Sequence, residues 1–257
     1  MASLTVGVRP EGKPVIRTKP KQMTNINKIV LHIPHASVNG IFGPYGKWPC
    51  NPHFINDCVI KWTDWYTDFL FATSNENVTS VVFPYSRFVC DAERLDNDPM
   101  ENQGQGIIYR QFGGYKRGML TTQESDFLYL QRKQHLDAVR SQLTPDSLLI
   151  DCHSFPSELY DCDICIGHNT DDTYDQRLVN LVKRLFEKSN YKVVFNNPYS
   201  NSLSPETGFI YKSLMIEVNK RVYMTRIGTL NPNSRQWMRW FGCINRIYNS
   251  ILADDSC

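Results

Sequence analysis

The sequence predicts an α/β fold, a three-layer sandwich with a largely parallel central sheet flanked by helices. Three observations carry that expectation: short apolar runs, helical periodicities between them, and a composition suited to a sizeable core. Hydrophobic residues are 41% and charged residues 21% of the 257 residues, and a chain of this size buries about 70–75% of its unfolded surface. Disorder and coiled coils are excluded on the same ground.

The strand-like runs, in order, are Ile29–Ile33, Val78–Phe83, Ser147–Ile150, Cys162–Ile166, Lys192–Phe195 and Leu214–Val218. Each is rich in Val, Ile and Leu and bounded by turn-forming residues. Several lack polar alternation, as strands covered on both faces do. Between them, Thr63 as a cap with Asp64 in the first turn predicts a helix through Phe71. Phe127, Leu130, Leu136, Val139 and Leu143 give Gln123–Leu143 a helical apolar face, and Leu178, Leu181, Val182 and Leu185 do so for Tyr174–Lys188. The clearest stripe runs from Trp237 through Trp240, Ile244 and Ile247 to Ile251. Packing on the sheet explains that stripe better than a membrane surface, because few basic residues gather opposite it.

Residues 1–22 read as a basic N-terminal arm and residues 23–257 as one catalytic α/β domain. The arm holds Lys13, Arg17, Lys19 and Lys21 but no apolar signal-peptide core. With no uncharged apolar run near the roughly 18 residues that span a bilayer, the expected location is cytoplasmic. A net charge of +2 from 28 basic and 26 acidic residues gives no electrostatic case for nucleic acid or a membrane as partner. The eight cysteines are therefore expected as free thiols. Cys162 and Cys165 form a C-x-x-C pair, but residues three apart on a strand point to opposite faces, so small buried apolar groups are expected rather than redox or metal chemistry.

In open α/β sheets, ligands collect at the carboxyl ends of strands. Those ends carry His32, Pro34 and His35; Arg87 with Asp91, Glu93 and Arg94; Asp151, His153 and Ser154; and Glu217. Buried charges cost free energy unless paired or bound to something, and imidazoles converging with carboxylates from separate strands suit a divalent metal. Catalytic zinc takes three protein ligands and leaves a place for water. His35 and His153 are the candidate nitrogen ligands, and Glu217 the candidate base. His32, flanked by Leu31 and Ile33, reads as a structural histidine, as do His53, His135 and His168 by default. A Ser–His–Asp hydrolase lacks a G-x-S-x-G elbow, and neither Gly104-Gln-Gly106 nor Gly113-Gly114 has phosphate-loop spacing. Whether Gly104–Gly118 covers the site is left open by the sequence.

The ordered motifs Pro34-His35-Ala-Ser37, Thr63-Asp64-Trp65, Ser86-Arg87 through Asp91-Ala-Glu-Arg94, Asp151-Cys-His153-Ser154 and Glu217-Val-Asn-Lys-Arg-Val-Tyr223-Met224 resemble the N-formylglutamate amidohydrolase family. The resemblance covers about residues 29–224. It implies a core like that of zinc carboxypeptidases and aspartoacylases, with a mixed sheet, and a Zn2+-dependent hydrolase acting on a small N-acyl amino acid. By that resemblance His35 and His153 bind zinc, with Asp64 preferred to Asp91 as third ligand. Asp91 then orients His35. Arg94 takes the substrate carboxylate, Arg87 assists at the oxyanion, and Glu217 is the general acid/base. Glu93 stands where the family motif has Asn, and a carboxylate beside the binding arginine weakens attraction for a dianion. Alternatives are a carboxypeptidase-like or other N-acyl amino-acid deacylase, and an inactive metal- or carboxylate-binding module. The sequence does not fix the oligomeric state.

Overall fold

The structure is a computed structural model that describes residues 25–226 and 230–253; the basic arm expected over residues 1–22 lies outside them. Six strands form the central sheet: β1 (Lys28–Ile33), β2 (Val78–Val82), β3 (Ser147–Phe155), β4 (Ile164–Gly167), β5 (Val193–Phe195) and β6 (Lys212–Asn219). Their order is β2-β1-β3-β6-β4-β5. β2, β1, β3 and β6 are mutually parallel, while β4 runs antiparallel to β6 and β5 follows β4. The reversal has a local cause. Only residues 156–163 join β3 to β4, too few for the crossover of a dozen or more residues that a parallel return needs.

Helices cover both faces. α1 (Thr122–Gln142), α2 (Gln176–Lys188) and α3 (Ser234–Leu252) begin at side-chain caps. Thr121 and Glu124 form a reciprocal capping box on α1, and Asp175 accepts from the Arg177 and Leu178 amides on α2. α2 and α3 pack Val182, Phe186, Trp240, Ile244 and Ile247 against Leu31, Ile150, Ile216 and Val218. On the other face, Val139 of α1 and Leu143, the residue that caps its end, meet Val30 and Leu149. The strand pleat sorts β3 accordingly: Leu148, Ile150 and Cys152 join the α2–α3 core, and Asp151 and His153, of opposite parity, point the other way.

A second apolar cluster lies on the side of α1. Trp48, Phe54, Phe88, Val89, Tyr109 and Leu128 consolidate loops that have little regular structure of their own. These loops rise beside the sheet and make it one floor of a cleft.

Two local expectations are corrected. Helix does not begin at Thr63. It begins at Pro52, capped by Asn51 Oδ1 accepting from the Phe54 amide at 2.8 Å, and continues through Ile60 in a wider-turned segment. The chain then turns at Thr63 and Asp64 and restarts only over Thr67–Leu70, with Tyr66 in the left-handed region at φ 64°. Cys162 also precedes β4 instead of lying in it. It therefore shares one small cluster with Cys165 and Phe155. Both thiols are free and buried, and burial pushes Cys162 up to about 12, consistent with an apolar packing role.

Candidate metal centre and its cleft

Strand register builds the site. β1 and β3 pair His32 with Asp151, and β3 and β6 pair His153 with Glu217. Cross-strand partners share a face, so these four side chains stand together on the α1 side. Pro34 ends β1, and His35 turns into the same space. Asp64 arrives from its turn with the backbone held on both sides: its amide donates to the His35 carbonyl at 3.0 Å, and Thr67 Oγ1 donates to its carbonyl at 2.8 Å. The cleft above them has a volume of about 1300 Å³ and includes Arg87, Arg94, Tyr109 and Tyr199 in its walls. Gln105, Phe112 and Gly113 also line it, so the Gly104–Gly118 segment forms part of the wall.

The two imidazoles are posed alike. The rings of His35 and His153 lie 5.2 Å apart, tilted by 50°. His35 Nε2 is 2.9 Å from Asp91 Oδ1, and its Nδ1 lies 3.7 Å from Asp64 Oδ2. His153 Nε2 is 3.1 Å from Asp151 Oδ1 and 2.9 Å from Glu93 Oε1, while its Nδ1 is 3.1 Å from Asp64 Oδ2. Each ring thus has one nitrogen held by carboxylate and the other toward Asp64. His35 Nδ1 is buried without a hydrogen-bond partner. One ligand atom each from His35, Asp64 and His153 falls within 4.8 Å of the others.

That geometry calls for positive charge. If each Nε2–H donates to its carboxylate, a neutral ring turns a lone pair toward Asp64, and two acceptors then face one another. A second proton or a cation between them removes the conflict. The electrostatics agree. Burial works against an imidazolium at His153, but Glu93, Asp151 and Asp64 outweigh it and raise its pKa well above the ordinary value. Burial and Arg87 oppose the charge on His35, yet Asp91 and Asp64 raise it too. The Asp64 carboxyl, despite burial, is held below the usual range by the two histidines. These donors are of the type and spacing that suit a divalent ion.

Asp91 is saturated. Its Oδ1 accepts from His35 Nε2 and from the Glu93 amide at 3.1 Å; its Oδ2 accepts from Tyr109 Oη at 2.6 Å and Arg87 Nη2 at 3.3 Å. Burial opposes its charge, but His35 and Arg87 outweigh that and keep the carboxyl well below the usual carboxylate range. Arg94 flanks the same carboxylate at 3.7 Å and reaches Asp98 at 3.5 Å. Glu217 differs in kind: 7% exposed, with Oε2 unpartnered. Burial above all, with Asp64 and Glu93 nearby, pushes its pKa up to about 8 against the pull of His153 and Arg87.

The sequence profile of the N-formylglutamate amidohydrolase family matches residues 28–224. The chain belongs to that family. A crystal structure of N-formylglutamate amidohydrolase from Ralstonia eutropha JMP134 superposes with a TM-score of 0.71 at 19% identity, covering 88% of this chain and 95% of that one. A gene product of Agrobacterium tumefaciens gives 0.58 at 17% identity, covering 88% and 92%. At these identities the likeness concerns the fold. No curated relative matches the chain.

Every residue expected at the site of this amidohydrolase-family chain lines the cleft: His35, Asp64, Arg87, Asp91, Arg94, His153 and Glu217. His32, expected to be structural, is held between Asp151 at 2.7 Å and His135 at 2.9 Å, and with Asp151 and Glu93 it also forms a group whose ligand atoms lie within 4.8 Å of one another. His168 stacks on Tyr174 at 4.5 Å. Sequence reasoning gave no role to Asp151, Tyr109 or Tyr199. For Asp151 a signal existed, since it sits two residues before His153 and so shares its strand face. Tyr109 is brought to Asp91 by loop packing, which has no periodicity to read.

Proposed function

We propose that this protein is a zinc-dependent amidohydrolase that removes the N-formyl group, or another N-acyl group, from an N-acyl amino acid. The observation that supports it is the convergence of His35 Nδ1 and His153 Nδ1 on Asp64 Oδ2 beside an unpartnered, buried Glu217. His35, Asp64 and His153 would hold the ion. Bound there, zinc supplies a Lewis acid and a water that ionises near neutral pH.

The residues of the chain do the rest. Asp91 and Asp151 fix the ring orientations through Nε2. Glu217 accepts at its carboxylate the proton that the attacking water loses, then returns it to the departing amine nitrogen. Its raised pKa suits both halves of that duty, and a neighbouring cation favours the ionised form needed for the first. Arg94 takes the amino-acid carboxylate in a bidentate fork, converting binding energy into position. Arg87 supports negative charge developing on the carbonyl oxygen. The test is Glu217→Gln, measured by turnover of N-formyl amino acids and by metal content. Loss of about 10²–10⁴-fold in turnover with the metal retained is expected; retained activity removes Glu217 from the reaction, and absence of metal in the unaltered protein removes the whole reading.

A further inference from the structure

The cleft is lined by eight carboxylate side chains and four arginines, with no lysine among its described residues. Each arginine already faces an acid: Arg87 faces Asp91, Arg94 faces Asp98, Arg132 faces Asp96 and Arg140 faces Asp137. Glu93 is placed differently. Its carboxylate lies 2.9 Å from His153 Nε2 and 3.6 Å from His35 Nδ1, and a quarter of its side chain remains open to the cleft. Its amide is held by Asp91 Oδ1, so the side chain starts from a fixed point next to Arg94.

Glu93 and Arg94 are chain neighbours that both line the cleft beside His35 and His153. A substrate with its carboxylate at Arg94 and its acyl group at the histidines would therefore have its other groups near Glu93. A second carboxylate there meets a like charge. An amide of the same shape meets an acceptor for its N–H, and an ammonium meets an opposite charge. We propose that Glu93 makes this cleft select N-acyl amino acids with an uncharged or basic side chain over dianionic ones such as N-formylglutamate. This rests on the hydrolase reading above and narrows its substrate class.

N-Formylglutamate and N-formylglutamine are nearly isosteric, so the pair isolates charge. With the zinc-loaded protein, kcat/KM for N-formylglutamine should exceed that for N-formylglutamate by about tenfold or more, with Nα-formyl-lysine nearer the glutamine value. Glu93→Gln should move the glutamate-to-glutamine ratio toward glutamate by about tenfold, mainly through KM. Isothermal titration with the same ligands reads the preference apart from turnover. Should Glu93→Gln not fold, raising ionic strength with the unaltered protein should narrow the ratio instead. Preference for N-formylglutamate in the unaltered protein overturns the charge selection alone. A protein that neither binds nor hydrolyses any of the three, nor their N-acetyl counterparts, overturns the hydrolase reading and the selection with it.

Discussion

Asp151 Oδ1 accepts hydrogen bonds from two histidines at once, His32 Nδ1 at 2.7 Å and His153 Nε2 at 3.1 Å. Its other oxygen accepts from the Leu203 amide at 2.8 Å. A carboxylate anchored this way sets the plane of the His153 ring, and it ties one candidate ligand to the buried His32–His135 pair behind it. Replacing Asp151 by Asn leaves shape but removes charge and one acceptor. Asp151→Asn should weaken zinc binding by about 10–100-fold, read by competition with a chromogenic chelator. Unchanged affinity would show that the contact is only structural.

Asp64 and Asp91 are separated by the same measurement. Asp91 spends its acceptors on His35, Tyr109, Arg87 and the Glu93 amide, whereas Asp64 lies between the two Nδ1 atoms. Asp64→Ala should abolish stoichiometric zinc, and Asp91→Asn should retain it with affinity lower by about 10–100-fold. The reverse order would make Asp91 the ligand.

Arg94 offers a planar fork that lysine cannot reproduce. Arg94→Lys should raise KM for the preferred N-acyl amino acid by about tenfold or more, corresponding to about 1.4 kcal/mol of lost binding, with a smaller effect on kcat. Steady-state kinetics give the split, and an effect confined to kcat would place Arg94 away from the substrate carboxylate.

His135 makes stability sensitive to acid. Burial, with His32 and His35 adding to it, lowers its pKa to about 3 from 6.5. The unfolded chain thus gains a proton below pH 6.5 that the folded one refuses, and stability is lost as pH falls from 6.5 toward 3. From pH 7 to pH 5 the loss at this position amounts to about 2 kcal/mol. His135→Gln should flatten that segment of the pH–stability curve from urea unfolding relative to the unaltered protein. Parallel curves would mean that His135 titrates normally.

The sequence carried the strands and long helices well because their signals are local and redundant. Six apolar runs and three amphipathic stripes each repeat the same message over a turn or a strand. The candidate site was legible for a related reason: His35, His153 and Glu217 stand out as polar residues in or just beyond those apolar runs, where a polar residue has no packing excuse. What failed was punctuation. Thr63 resembles a cap, yet the cap is Asn51, twelve residues earlier, on a helix that starts at Pro52, and Asp64 sits in a turn followed by a left-handed Tyr66. The walls were hidden more deeply. Trp48, Phe88 and Tyr109 meet through contacts between loops, and nothing in their spacing announces that Tyr109 reaches Asp91.

The ladder between β3 and β6 places His153 directly opposite Glu217. Side chains alternate strictly along a strand, so slipping this pair of strands by a single residue would drive the acid into the oily layer beneath α2 and α3. The residue proposed to carry the proton and one proposed nitrogen ligand are thus placed by a single strand register. A molecule that has closed this ladder correctly holds both, and one that has not holds neither in place.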